Sequence, residues 1–102
     1  MSDNAISGTF GATGQSSTIS IYGSASVLIA DGSGTVVIQR STDKGSNWYD
    51  VAKNSSGDIA SYDPSTGDKN VFIDEPERGV IYRLDCRAYV SGTIVWRVGP
   101  AR

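Results

Sequence analysis

Asp74, Glu75 and Glu77 form the densest group of side chains in this sequence capable of acid–base chemistry. Two carboxylates astride a glycosidic bond can act as acid and as base or nucleophile. Here they flank Pro76 at a junction between a strand and a turn, where carboxylates serve as solvated turn formers, and 102 residues leave little room for a deep sugar cleft. The chain has no histidine. That removes Ser-His-Asp and Cys-His nucleophile systems, imidazole catalysis and most zinc or copper sites. Cys86 is the single cysteine, so no intrachain disulfide can form, and it falls on the apolar face of a strand as a packed small hydrophobe. Asp58, Asp63 and Asp68 offer oxygen ligands to calcium in one Ser/Gly-rich loop, but the spacing lacks the later bidentate glutamate of an EF-hand. An ordinary polar loop is the expectation there. These residues predict a protein that is not an enzyme and holds no metal or cofactor.

The most specific local signal is the run Ser41-Thr42-Asp43-Lys44-Gly45-Ser46-Asn47-Trp48, with Val36 to Arg40 before it and Tyr49-Asp50-Val51 after it. A strand enters, polar residues turn the chain, and a strand leaves. Ser41 and Asp43 carry short oxygen side chains that can bond N–H groups of their own turn. Gly45 permits a positive φ, and Trp48 can fold its indole back over the hairpin. The residues Ser41, Asp43, Gly45 and Trp48 therefore read as a structural turn.

The elements around this turn are short. Glycine numbers 12, net charge is −2, and charges of both signs are interspersed, with no Lys/Arg cluster of the kind that grips nucleic acid. No apolar stretch is long enough to cross a bilayer as a helix. Residues 1–16 lack the basic start and apolar run of a signal peptide, so use without secretion is expected. Strand-like runs cover residues 6–10, 18–22, 26–30, 35–40, 48–52, 70–74, 80–90 and 93–98, separated by Gly/Asp/Asn/Ser turn signals. A brief strand at 59–62 interrupts an otherwise polar stretch. The pattern predicts an all-β domain, a β-sandwich or small barrel, with an antiparallel β-sandwich of seven to eight strands over residues 15–102 the expectation, preceded by an N-terminal arm over 1–14.

Val80, Tyr82, Leu84, Cys86, Ala88 and Val90 alternate with Ile81, Arg83, Asp85, Arg87 and Tyr89, and Ile94, Trp96 and Val98 alternate in the final run. A three-residue loop, Ser91-Gly92-Thr93, would pair these two runs as a hairpin with Ala88 against Trp96 and Cys86 against Val98. Its outer face would set Arg87 opposite Arg97, with Arg83 close by and Asp85 diagonal. Like charges opposed in this way either lean on Asp85 or await a carboxylate partner on another chain. Trp48 and Trp96 are expected in the core. Tyr49 and Tyr89 are expected outside, with Tyr62 a further member of any aromatic platform for sugar. Partner-binding residues are thus Arg83, Arg87, Tyr89 and Arg97, together with Ile6 and Phe10 of the arm, which has few apolar residues to hold it to its own domain.

Three resemblances add to this reading. The run 41–48 resembles the Asp-box of sialidases and related β-proteins, Ser-x-Asp-x-Gly-x-Thr-Trp, with Asn47 replacing Thr; in that motif the residues build a turn, not an active site. Glu77 to Cys86 resembles the penultimate strand of immunoglobulin-like and fibronectin type III-like domains, which implies that Tyr82 closes a corner by bonding nearby backbone and that Cys86 stands where a second cysteine is usual. Phe10-Gly11-Ala12-Thr13-Gly14-Gln15-Ser16, Gly34 to Val51, and Tyr82 through Ser91-Gly92-Thr93-Ile94 to Trp96-Arg97 resemble small structural proteins of tailed bacteriophages. That resemblance implies a virion protein assembled in the host cytoplasm. It would be a head decoration or accessory protein that binds capsid or other virion proteins in many copies or as a homo-oligomer, with no nucleic acid or membrane partner. The alternative it leaves open is a carbohydrate- or receptor-binding module of a phage tail or adhesin.

Overall fold

The computed structural model describes residues 5–51 and 61–100. Within them lie ten strands: β1 (Ile6–Phe10), β2 (Gly14–Gln15), β3 (Ile19–Ser20), β4 (Gly23–Ala30), β5 (Ser33–Ser41), β6 (Tyr49–Asp50), β7 (Ser61–Tyr62), β8 (Lys69–Glu75), β9 (Ile81–Ser91) and β10 (Ile94–Pro100). One 3₁₀ turn, Pro64–Thr66, precedes β8, and no α-helix occurs among the described residues. The first sheet runs β1-β10-β4-β8. The second runs β2-β9-β5-β6, with β3 also on β9 and β7 also on β5. Every pairing is antiparallel. The architecture is an all-β sandwich.

Alternation explains the core. Val27 and Ile29 of β4, Ile94, Trp96 and Val98 of β10 and Phe10 of β1 face Val36 and Ile38 of β5 and Tyr82, Leu84 and Cys86 of β9; all are buried. Burial of each large apolar side chain contributes about 1.5–3 kcal/mol against the entropy of ordering.

The final two strands do not form the expected hairpin. β9 belongs to the second sheet and β10 to the first, so the chain crosses between sheets at Gly92–Thr93. β4 and β5 are joined by a second crossing at Asp31–Gly32, where both residues have φ near 58°. The two crossings touch. A Cβ at Gly32 would lie 2.7 Å from Ile94 Cγ1, and one at Gly92 only 3.1 Å from Gly32 Cα. Only glycine lets the two chain segments pass at that separation.

Residues 6–10 are a strand and not an arm. β1 pairs with β10 from Ile6 opposite Val98 to Phe10 opposite Ile94. Phe10 is buried against Trp96, with ring centroids 6.0 Å apart, and Ile6 packs on the core. Trp96 has a place for its ring because β1 offers Gly8 there: a Cβ on Gly8 would stand 2.9 Å from Trp96 Cζ2. Phe10 is thus used within its own domain and is not available to a neighbour.

Candidate functional site

The 41–48 turn is built from its own side chains. Ser41 is fully buried, and its Oγ accepts from the Gly45 N–H at 2.9 Å and donates to Asp43 Oδ1 at 2.7 Å. Asp43 Oδ1 also accepts from the Asn47 N–H at 2.9 Å, and Oδ2 from Asn47 Nδ2 at 2.7 Å. Asn47, at the position of the motif's threonine, supplies the closing bond through an amide. Its side chain and backbone, with Ser41, hold the Asp43 carboxyl down to about 2. Lys44 and Gly45 both adopt positive φ, at 61° and 92°. Trp48 is not in the core as expected. It lies half-buried on the outside of the second sheet, beneath the Arg83 guanidinium, which sits 4.2 Å from the ring centroid.

From this indole a continuous polar chain crosses the outer face of the second sheet. Arg83 Nε donates to Gln39 Oε1 at 2.8 Å, and Gln39 Nε2 donates to Asp50 Oδ1 at 2.9 Å. Asp50 takes both terminal nitrogens of Arg87, each at 2.8 Å. Arg87 also donates to Asp85 Oδ2, and Gln15 Nε2 reaches Asp85 Oδ1 at 3.1 Å. The bidentate pair with Arg87, then the bond from Gln39, holds the Asp50 carboxyl down to about 2, and Asp50, then Asp85, push the Arg87 guanidinium higher. The network holds planar amides, carboxylates and guanidinium groups in one arrangement.

A bulge decides which residues join that face. Val36 pairs with Cys86 but Thr35 with Ala88, so Arg87 is the extra residue. A Cβ at Gly34 would meet the Ala88 carbonyl at 2.7 Å, and glycine there admits the bulged strand. Beyond the bulge the alternation reverses. Tyr89 turns toward the core and donates its hydroxyl to the Gly92 carbonyl at 2.5 Å, while Ala88 and Val90 turn out. The expected patch is therefore divided. Arg83 and Arg87 remain together, Tyr89 leaves the outer face, and Arg97 stands on the other sheet, opposite Leu28 and Ser7. Arg87 faces Asp50 rather than Arg97.

The acidic group is likewise divided. Asp74 and Glu77 are exposed, but Glu75 is only 1% exposed and is no solvated turn former. It receives Arg40 Nε and Nη2 at 2.8 Å each, the Tyr82 hydroxyl at 2.7 Å and the Glu77 N–H at 3.0 Å. Burial opposes its charge, but these donors outweigh it and hold the carboxyl below its ordinary value. Tyr82 thus bonds a carboxylate, not the backbone expected of an immunoglobulin-type corner; burial and then Glu75 raise its phenol to about 12.

Asp63 and Asp68 accept hydrogen bonds from the chain's own backbone. Asp63 Oδ1 caps the 3₁₀ turn through the Ser65 N–H at 2.9 Å and reaches the Gly34 N–H, while Asp68 Oδ1 reaches the Asp31 N–H. Asp58 lies outside the described residues. Among those described, no cluster of three or more His, Cys, Asp or Glu side chains is gathered to hold a metal. Tyr49 is exposed and Tyr62 half-buried against the core. Sequence reasoning passed over Gln15, Gln39, Arg40 and Asp50. The available signal was the end of β5, where Gln39 and Arg40, one on each face, follow the buried apolar run Val36-Val37-Ile38. Comparison with protein-family models, with curated protein sequences and with solved structures finds no match.

Proposed function

We propose that this chain is a non-enzymatic structural protein of a bacteriophage virion, a head decoration or accessory protein of immunoglobulin-like type that binds and stabilises the capsid surface. The observation that carries the reading is the outer face of the second sheet. Arg83, Gln39, Asp50, Arg87 and Asp85 are held by one another, and side chains already ordered in this way support reading the face as a docking surface, because little is left to order on binding. Mixed charge in a fixed pattern selects a complementary protein surface and fixes its register. The resemblance of three sequence segments to phage structural proteins supports the same reading. Many copies bound to assembled subunits, and not to free ones, would stabilise the particle by mass action.

A second reading, a carbohydrate- or receptor-binding module of a phage tail or adhesin, is favoured by one feature of that face. Planar amide, carboxylate and guanidinium groups stand beside the Trp48 ring, a combination that suits sugar hydroxyls and an apolar sugar face. The test uses particles that carry the protein. Arg83→Glu with Arg87→Glu should abolish attachment while the variant remains folded by circular dichroism. Wild-type occupancy by this variant would overturn the docking assignment. Saturable binding of the isolated protein to a glycan, lost in the same variant, would replace it by the second reading.

A further inference from the structure

Among the described residues, strand β8 is the longest edge strand of the sandwich. Among the described residues it pairs with β4 alone, through seven successive positions without a bulge. The second sheet ends in two-residue strands, and β1 at the opposite edge of the first sheet turns Ser7 and Thr9 outward. By contrast β8 exposes Phe72 at its midpoint, 71% accessible, with half-buried Val71 and Ile73 on either side. Natural edges of this length carry a central lysine, a proline or a bulge that blocks pairing with another chain. The centre of β8 carries none of these.

The sequence of the strand, Lys69-Asn70-Val71-Phe72-Ile73-Asp74-Glu75, reads similarly in both directions in chemical terms. Laid antiparallel on itself about Phe72, it sets Phe72 opposite Phe72, Val71 opposite Ile73, Asn70 opposite Asp74 and Lys69 opposite Glu75. The exposed Asn70 amide of one copy meets the exposed Asp74 carboxylate of the other, while Glu75 stays buried in its own domain and takes no part in the match. A shift of two residues in either direction puts Phe72 opposite Asp74 or Asn70 and loses this match. The Lys69 bond to Thr66 Oγ1 and the Arg40 pair on Glu75 are side-chain contacts, and among the described residues no strand other than β4 pairs with the backbone of β8.

We propose that β8 is a homodimer interface: it pairs antiparallel with β8 of a second copy about a two-fold axis through Phe72, joining two four-stranded sheets into one. A two-fold contact of this kind is self-complementary and closed, so it stops at two copies. Backbone hydrogen bonds supply the association, and the side-chain match sets the register. The proposal does not depend on a role in a virion.

Light scattering on the purified chain, from micromolar to millimolar concentration, tests it. The wild type should reach the mass of a dimer. Phe72→Lys, which opposes two like charges, should weaken self-association by about tenfold or more. Its melting temperature as a monomer should not fall, because Phe72 is exposed. Register is tested by cysteines, since opposed residues of antiparallel strands lie within disulfide reach. Phe72→Cys should crosslink to itself under mild oxidation. Asn70→Cys and Asp74→Cys should crosslink when mixed, and neither alone. A monomeric wild type at millimolar concentration, an undiminished dimer in Phe72→Lys, or crosslinking of Asn70→Cys to itself would each overturn the proposal.

Discussion

The hydroxyl of Tyr82, on the second sheet, donates to Glu75 Oε1 at the end of the first sheet's edge strand, at 2.7 Å. The same carboxylate receives the fork of Arg40 from β5. One buried charge thus ties the two sheets together where no disulfide is available. A buried carboxylate is tolerated only when its oxygens are filled by donors, and here the Glu77 N–H completes the set.

Removal of one partner should cost more than removal of the pair. Arg40→Met leaves Glu75 charged and short of donors, and is expected to cost about 2–4 kcal/mol, below the full value for a buried pair because the arginine meets solvent. Tyr82→Phe should cost about 1.5–3 kcal/mol as a lost bond to a charged group. Arg40→Met combined with Glu75→Gln should recover part of the loss. Chemical denaturation checks all three. Additive losses in the double variant would mean that the two side chains are not coupled.

Acid should weaken the fold through the same carboxylates. Asp50 is held at about 2 against 3.8, and Glu75 below 4.5. For a depressed carboxyl the stabilisation is fully present above the unfolded value and is lost as pH falls through the folded one. Melting temperature should therefore hold above about pH 5 and decline between about pH 4 and 2. Asp50→Asn and Glu75→Gln should each flatten that decline. A profile unchanged in both would assign acid unfolding to other groups.

The 41–48 turn should be sensitive at Ser41, whose buried hydroxyl satisfies the Gly45 N–H. Ser41→Ala is expected to cost about 1–3 kcal/mol because it orphans that donor. Half-buried Trp48 should matter less than buried Trp96: about 1–2 kcal/mol for Trp48→Ala against about 3–5 kcal/mol for Trp96→Ala. Thermal melts of the three variants decide it, and equal losses at the two tryptophans would contradict the outer placement of Trp48.

Cys86 is fully buried, and burial followed by the neighbouring Asp85 pushes its thiol up. A thiol reagent should leave the native protein unlabelled and react with one thiol after denaturation. Rapid labelling of the native chain would contradict the inward face of β9 before the bulge.

Deletion of residues 1–10 should destabilise the domain rather than trim an arm. It removes β1 and the Phe10 contact with Trp96, and is expected to cost at least about 3–5 kcal/mol. Gly8→Ala should cost about 1–3 kcal/mol, because its Cβ enters the space of the indole. Melting curves equal to wild type would restore the arm.

Sequence alone determined the class of fold, most strand positions and the internal wiring of the 41–48 turn. Those follow from short-range rules: period-two alternation, glycine and aspartate at turns, and side chains that bond their own backbone within four residues. The inward placement of Tyr82, Leu84 and Cys86 was legible for the same reason. Tertiary structure alone decided that β9 and β10 lie in opposite sheets. A hairpin and a crossing both keep Cys86 and Trp96 facing one core, so alternation cannot separate them. It also decided that Tyr89 turns in and Val90 out, because one extra residue at Arg87 reverses the phase without any change in composition. Glu75 and Asp50 find their arginines 35 and 37 residues away, through sheet packing and pairing that no local pattern encodes. For residues 6–10 the deciding quantity was the space beside Trp96, filled by Phe10 and left open by Gly8, which exists only once β10 is in place.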